Sequence, residues 1–289
     1  MCVCVVLTQR RILIAMQLNR YAQNFLIGVA AVVLAGSEFL PGHEKSGPVL
    51  TAVSTALAAP SRDTVPAGAA VTASSTVGVA GKVEAALGAF SGIVRPLSHP
   101  AALQDAFRSY FAFKSAHPDE VKKPYLYFVD YGLPSTEARG YVFDMESLKI
   151  VDGPFTVAHG RGSSSTHYGV PTRFSNASRS AATSLGLYLT KSLYDFTGHS
   201  GGSAYSSIGL RLEGESGKFN DNAFTRGVVA HGAPYVTPDK AGRSEGCPAM
   251  EPGRAQRLLP KLADGAMVFL FAPDANWLSN DPWVSAAAN

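Results

Sequence analysis

Cysteine is nearly missing from this chain, with three in 289 residues at positions 2, 4 and 247. Sulfur is too sparse for a small fold stapled by several bridges. Charge is scarce as well: 16% of residues carry it, the net value is +3, and no dense block of lysine or arginine occurs. The electrostatic footprint of a nucleic-acid binder is therefore absent, and nucleic acid is not an expected partner. A weakly basic surface suits many other partners, anionic cell-wall polymer among them, and chooses none. Long apolar runs are also lacking. The stretch Phe25 to Ala35 (FLIGVAAVVLA) falls short of the roughly 20 apolar residues that span a bilayer comfortably.

That short run nevertheless has a layout. Arg10, Arg11 and Arg20 precede it and small residues end it, which is the order of an export signal. Residues 1–35 are expected to be such a signal, cleaved after Ala35, with Met1 or Met16 as its start and only transient membrane contact through it. Its removal would take Cys2 and Cys4 away and leave Cys247 without a partner in an oxidising compartment, periplasm or cell wall. An intrachain disulfide is then excluded. A leftover thiol is either a buried small hydrophobe or a reactive group, and position alone does not choose.

A 289-residue chain with 46% hydrophobic residues can bury one sizeable core. Residues 36–81 are rich in Ala, Ser, Thr, Val and Pro and read as a flexible tether. Residues 82–123 carry helical spacing over 83–94 and 101–116, split by Pro96 and Pro100, and read as two short helices packing on the domain proper. From Pro124 the pattern shifts to short strands (YLYFVDYG, RGYVFD, KIVDGPFTVAHG, LGLYLT, SIGLRLEG, RGVVAHG, AMVFLFAP). One helix is expected among them, over 252–265, with Pro252 near its start and Leu258, Leu259 and Leu262 on its buried face. The spacing predicts a mainly β domain over 124–279, a sandwich or barrel with that helix packed on it and short helices before it, then a tail over 280–289.

Cysteine attacks as thiolate, so a nucleophile needs a base within reach and backbone N–H groups aimed at the developing oxyanion. His231 closes the strand RGVVAHG, and Cys247 follows sixteen positions later in GRSEGCPAM. Gly232 removes bulk where substrate would approach. The Gly246–Cys247 turn could supply the oxyanion N–H pair. A lone His-Gly is more often a buried structural histidine, and the pairing with Cys247 reverses that reading. His159 ends a second His-Gly and, with Tyr168, Asn222 and Tyr235, is a candidate for lining the cleft; a structural role for His159 is equally open. His167 and His199 lie in polar loops. A zinc site built from His159, His167, His199 and His231 lacks any HExxH or paired ligand spacing, so no metal or cofactor is expected.

The stretch HGAPYVTPDKAGRSEGCPAM resembles the active-site signature of the YkuD-type L,D-transpeptidases, a His-Gly followed by a Ser-x-Gly-Cys turn. VDYGLPSTEARGYVFD, VAHGRGS, VPTRFSN, SLGLYLT and KFNDNAFTRGVVAHG extend the likeness to a variant murein branch over about residues 124 to 274. The general family carries a second His before Gly-Cys, and a basic or amide residue just beyond. Here Glu245 and Pro248-Ala249 stand in those places. The resemblance implies that Cys247 attacks a carbonyl on the L-centre of a diamino acid in a peptidoglycan stem peptide, with His231 as base at a near-neutral pKa, and that an amine from a second stem resolves the acyl-enzyme. Gly246 and Cys247 would hold the oxyanion. Ser244 is expected either to orient His231 or to cap the turn. Arg243 is the candidate carboxylate clamp, or else a solvated loop arginine. Glu245 is expected to point away from the sulfur, because a nearby anion disfavours thiolate. Two alternatives stay open: a carboxypeptidase or endopeptidase passing the acyl group to water, and a non-catalytic wall-binding module.

Overall fold

The structure, a computed structural model, describes residues 67–285. The expected export signal and the tether up to residue 66 lie outside the described residues. Among the described residues, no helix is long and apolar enough to cross a membrane.

Helix α1 (Ala67–Phe90) begins inside the stretch expected to be tether. An alanine-rich segment has high helix propensity once something anchors it. Val83, Ala86 and Phe90, spaced three and four apart, provide the anchor by burying one face. Helix α2 (Ala102–Ala116) follows the Pro96 and Pro100 breakers as expected. It buries Phe107, Tyr110 and Phe113, with Lys114 in the last turn, where the helix dipole favours a cation. Phe90 and Phe107 meet Phe143 of the sheet at ring-centroid distances of 4.7 and 5.5 Å. The 82–123 helices are therefore part of the same hydrophobic core as the sheet.

That sheet confirms the mainly β expectation. Its strands are β1 (Tyr125–Asp130), β2 (Gly140–Asp144), β3 (Lys149–Phe155), β5 (Gly186–Ser200), β6 (Ser203–Gly214), β7 (Val229–Gly232), β11 (Ala249–Met250) and β12 (Met267–Phe271). They run in the order β11-β7-β6-β5-β12-β1-β2-β3. The pairs β1–β12 and β7–β11 are parallel and the others antiparallel. Two small ladders flank this sheet: β4 (His159–Gly160) with β10 (Arg243–Ser244), and β8 (Val236–Thr237) with β9 (Lys240–Ala241). The uninterrupted apolar run MVFLF of β12 is wholly buried, as befits a strand covered on both faces.

Helix α3 (Pro252–Leu262) lies within the expected 252–265 span and buries Leu258, Leu259 and Leu262. A short α4 (Ala275–Asn280) follows β12, capped by Asp274, which accepts from the Trp277 N–H at 2.8 Å. The expected tail over 280–289 is packed as far as it is described. Val284 is buried, and the Trp283 ring stands 5.1 Å from Phe113.

The largest departure is the β5–β6 hairpin. The sequence marks strands only at LGLYLT and SIGLRLEG, because the intervening residues are Ser-, Gly- and Thr-rich. In the structure both strands continue to the Ser200↔Ser203 pair. Tyr194, Phe196 and Tyr205 account for it: aromatic residues at alternate positions put one ring row on one face.

Candidate active site

His231 sits in β7, flanked by Gly209 of β6 on one side and Ala249 of β11 on the other. Its ring is 2% exposed. Phe196, reaching over from the extended hairpin, stacks on it at 4.3 Å and 28°. The ring Nδ1–H donates to the carbonyl of Gly232 at 3.1 Å. That bond fixes the tautomer and leaves Nε2 as the lone-pair nitrogen. Burial lowers the imidazole pKa to about 4, against a smaller upward effect of the Gly232 bond. The expected near-neutral value is thus corrected. With a ring covered by Phe196 and no carboxylate beside it, the cationic form is the costly one.

Cys247 is half-buried and is a free thiol. Its Sγ lies 3.9 Å from the Gly227 carbonyl, which accepts from the S–H. Among the described residues no hydrogen bond joins it to His231, although β11 begins two residues later beside the histidine strand. Burial pushes the thiol pKa up; the Val229 N–H and the Arg226 guanidinium pull it down, and Glu245 opposes them.

The turn holding Cys247 is built by polar bonds. The Ser244 hydroxyl donates to the Cys247 carbonyl at 2.7 Å and accepts from the Gly246 N–H at 3.1 Å. Ser244 is therefore a turn cap, and the group that orients His231 is the Gly232 carbonyl. The same bond corrects the oxyanion pair. Gly246 N–H is already spent on Ser244, and Cys247 N–H is the donor left without a partner among the described bonds. Gly246 adopts φ +127°, and a methyl there would sit 2.8 Å from the Ala182 carbonyl. Only glycine suits such a backbone so close to a neighbouring loop.

Gly232 proves to have a packing role. A Cβ on it would meet Ser207 Oγ at 2.8 Å, Ala255 Cβ at 2.9 Å and Pro252 Cα at 3.0 Å. Glycine is needed here by helix α3 and β6, so packing alone accounts for the residue at this position.

His159 is wholly buried. Its Nδ1 accepts from Arg139 Nη2 at 2.9 Å. Burial, and then the fields of Arg139 and Arg243, lower its pKa to about 3. It is a neutral structural histidine under the β4–β10 ladder, where it pairs with Arg243. It does not line an open cleft. Arg243 donates from Nη1 to the Ser164 carbonyl at 3.2 Å. Glu245 is exposed and pairs with Arg161 at 2.7 Å. Asn222 is exposed beside Asn176, and its carbonyl accepts from the Arg226 N–H at 2.9 Å. Tyr168 is also at the surface, its ring 4.5 Å from that of His167. Tyr235 makes an edge contact with Tyr205 at 6.4 Å. Burial first, and then the field of Cys247, raise the phenols of Tyr194 and Tyr205. His199 falls on β5 near the hairpin tip, where a loop was expected. Among the described residues, no three His, Cys, Asp or Glu side chains group to hold a metal ion.

Two neighbours of the site escape sequence reasoning. Phe196 lies in a stretch that reads as loop, and Arg226 lies in the strand approach TRGVVAHG. The only hint of Arg226 is a lone charge ahead of an apolar strand.

The model of the L,D-transpeptidase catalytic domain family (YkuD_2) matches residues 96–271. No curated protein matches. Among solved structures, an L,D-transpeptidase from Mycobacterium smegmatis is similar at 13% identity and a TM-score of 0.32, over 52% of this chain and 59% of that one. One from Stackebrandtia nassauensis is similar at 19% identity and a TM-score of 0.32, over 59% and 66%. One from Xylanimonas cellulosilytica is similar at 14% and 0.31, over 52% and 61%. The chain thus spans less than two thirds of the length of each of these structures.

Proposed function

The chain belongs to the L,D-transpeptidase catalytic domain family, and from this we propose that it is an exported, cysteine-dependent transpeptidase of peptidoglycan stem peptides. Cys247 is the nucleophile and His231 the base. The observation that carries this reading is the fixed tautomer of His231: Nδ1–H is tied to Gly232, so Nε2 is free to take a proton, on a strand adjoining the one that follows Cys247.

In the proposed cycle, the thiol turns from the Gly227 carbonyl toward the imidazole. Resting hydrogen bonds in such sites commonly tighten only when substrate is bound. Sγ attacks the carbonyl on the L-centre of the stem diamino acid while Nε2 takes the thiol proton. The oxyanion is met by the Cys247 N–H. Collapse breaks the C–N bond to the terminal D-amino acid, whose amine leaves with the proton from Nε2, and a thioester remains. An amine from a second stem then attacks the thioester, Nε2 takes its proton, the C–S bond breaks, and the proton returns to sulfur. A neutral resting base fits both proton transfers, since it must be unprotonated at the start of each half. The aromatic residues Phe196, Tyr194 and Tyr205 would limit water at the thioester. Residues 1–35, as an export signal, would deliver the domain to periplasm or wall.

Mass spectrometry of muropeptides after incubation with tetrapeptide-stem peptidoglycan tests the reading. Dimers linked diamino acid to diamino acid are expected from the native protein, and from Cys247→Ser none, a loss of several orders of magnitude. Trimmed monomers alone would assign the acyl group to water. Full turnover by Cys247→Ser would overturn the cysteine mechanism.

A further inference from the structure

Arg226 has no part in the cycle above, yet it is tied to the nucleophile from two directions. Its guanidinium makes four bonds into the loop behind the nucleophile turn: Nη1 to the Ser175 carbonyl at 2.9 Å and Ser184 Oγ at 3.3 Å, Nη2 to the Ala182 carbonyl at 2.9 Å and Ser180 Oγ at 3.3 Å. Ala182 is the residue on which Gly246 rests, and a methyl on Gly246 would lie 3.6 Å from Arg226 Nη2. Along the chain, Arg226 directly precedes Gly227, whose carbonyl receives the thiol. Gly227 itself has φ +70°, a turn that brings the arginine and the thiol's partner to one place.

No carboxylate pairs with Arg226 among the described ion pairs, so its charge is not neutralised locally. The other charged group affecting the sulfur is Glu245, and its carboxylate is drawn outward to Arg161. Tyr194, Tyr205 and Tyr235 nearby have phenols raised by burial and are neutral at assay pH. His231 is neutral as well. Arg161 at the same turn is paired with Glu245 and Arg243 is bonded to the Ser164 carbonyl, which leaves Arg226 as the cation whose field acts on the sulfur.

We propose that Arg226 is the positioning residue of the nucleophile: its guanidinium clamps the Ser175–Ser184 loop under the Gly246–Cys247 turn and supplies the positive field that favours the thiolate and the first oxyanion. This rests on Cys247 being the nucleophile. A fixed cation, already bonded and needing no reorganisation, is the effective form of such stabilisation. Arginine suits the task better than lysine, because its planar fork can bond the loop on two sides and still present charge to the turn.

The test is the pH dependence of Cys247 alkylation by iodoacetamide in the full chain, comparing native protein with Arg226→Met and Arg226→Lys, each checked for a cooperative thermal transition. Loss of a neighbouring charge is expected to raise the thiol pKa by about one unit in R226M, so alkylation at pH 7 falls about tenfold. R226K, which keeps the charge, is expected to recover most of the alkylation rate while still losing turnover. A folded R226M with the native thiol pKa overturns the proposal. If R226M does not fold, Ser180→Ala combined with Ser184→Ala removes two of the four bonds and lets the charge drift from the turn. A raised thiol pKa in that variant supports the proposal, and an unchanged one overturns it. Turnover by Cys247→Ser would instead sink the function itself, whatever the alkylation shows.

Discussion

In the proposed mechanism His231 can serve as a base because it is not a cation at rest. Burial under Phe196 holds its pKa at about 4, so the ring is neutral above that pH and protonated below it. Base action is therefore present across the neutral range and is lost as pH falls through about 4. The rate of Cys247 acylation, followed by stopped-flow against pH, is expected to be flat from about pH 8 to 5.5 and to fall about tenfold per unit below pH 4. An acid limb centred near the ordinary histidine value of about 6.5 would contradict this. Cys247 and His231 are the pair that the sequence singles out for the proposed site, because a sole remaining thiol after a strand-ending histidine is a sparse pattern. The Gly232 carbonyl, the cap made by Ser244 and the cation Arg226 were not legible there. Each acts through a contact that the folded chain creates, and a serine or glycine in a turn looks the same whichever atom it bonds.

At the scale of elements, the nucleophile turn and the loop below it form one unit. Thr183 Oγ1 donates to the Gly246 carbonyl at 3.2 Å and accepts from the Gly160 N–H at 3.0 Å, joining turn, loop and the β4 ladder. Gly246→Ala should break this unit, since the methyl would strike the Ala182 carbonyl and φ +127° does not suit an L side chain. The expected cost is roughly 1–3 kcal/mol, seen as a lowered melting temperature, with thiol alkylation slowed alongside it. Native melting and native alkylation would show that the turn does not depend on this glycine. Composition predicted most strands well where apolar residues run together, as in β12. It failed at the β5–β6 hairpin, where rings at alternate positions are separated by Ser, Thr and Gly, and at α1, where alanine looked like tether filler until Val83, Ala86 and Phe90 gave it a buried face.

Among the described residues, a deep core lies behind an edge site. Phe90 and Phe107 of the helices pack on Phe143, and Leu258, Leu259 and Leu262 of α3 complete the core; the site is then placed where β7 meets the edge strand β11. The mainly β class was readable from strand spacing, and so was the packing of the 82–123 helices on the domain, since their helical apolar spacing needs a partner; which sheet residues they meet was not, because those partners are more than thirty residues away in sequence. The family match, which starts at residue 96, includes α2 in the same unit. In the proposed function all of this serves a single covalent event. The direct measurement is the intact mass of the full chain after mixing with a tetrapeptide-stem donor. A mass increase equal to the donor less its terminal D-amino acid, mapped to Cys247 and absent at Cys247→Ser, is the result predicted. An unmodified mass while donor is consumed, or an adduct on any other residue, would contradict it.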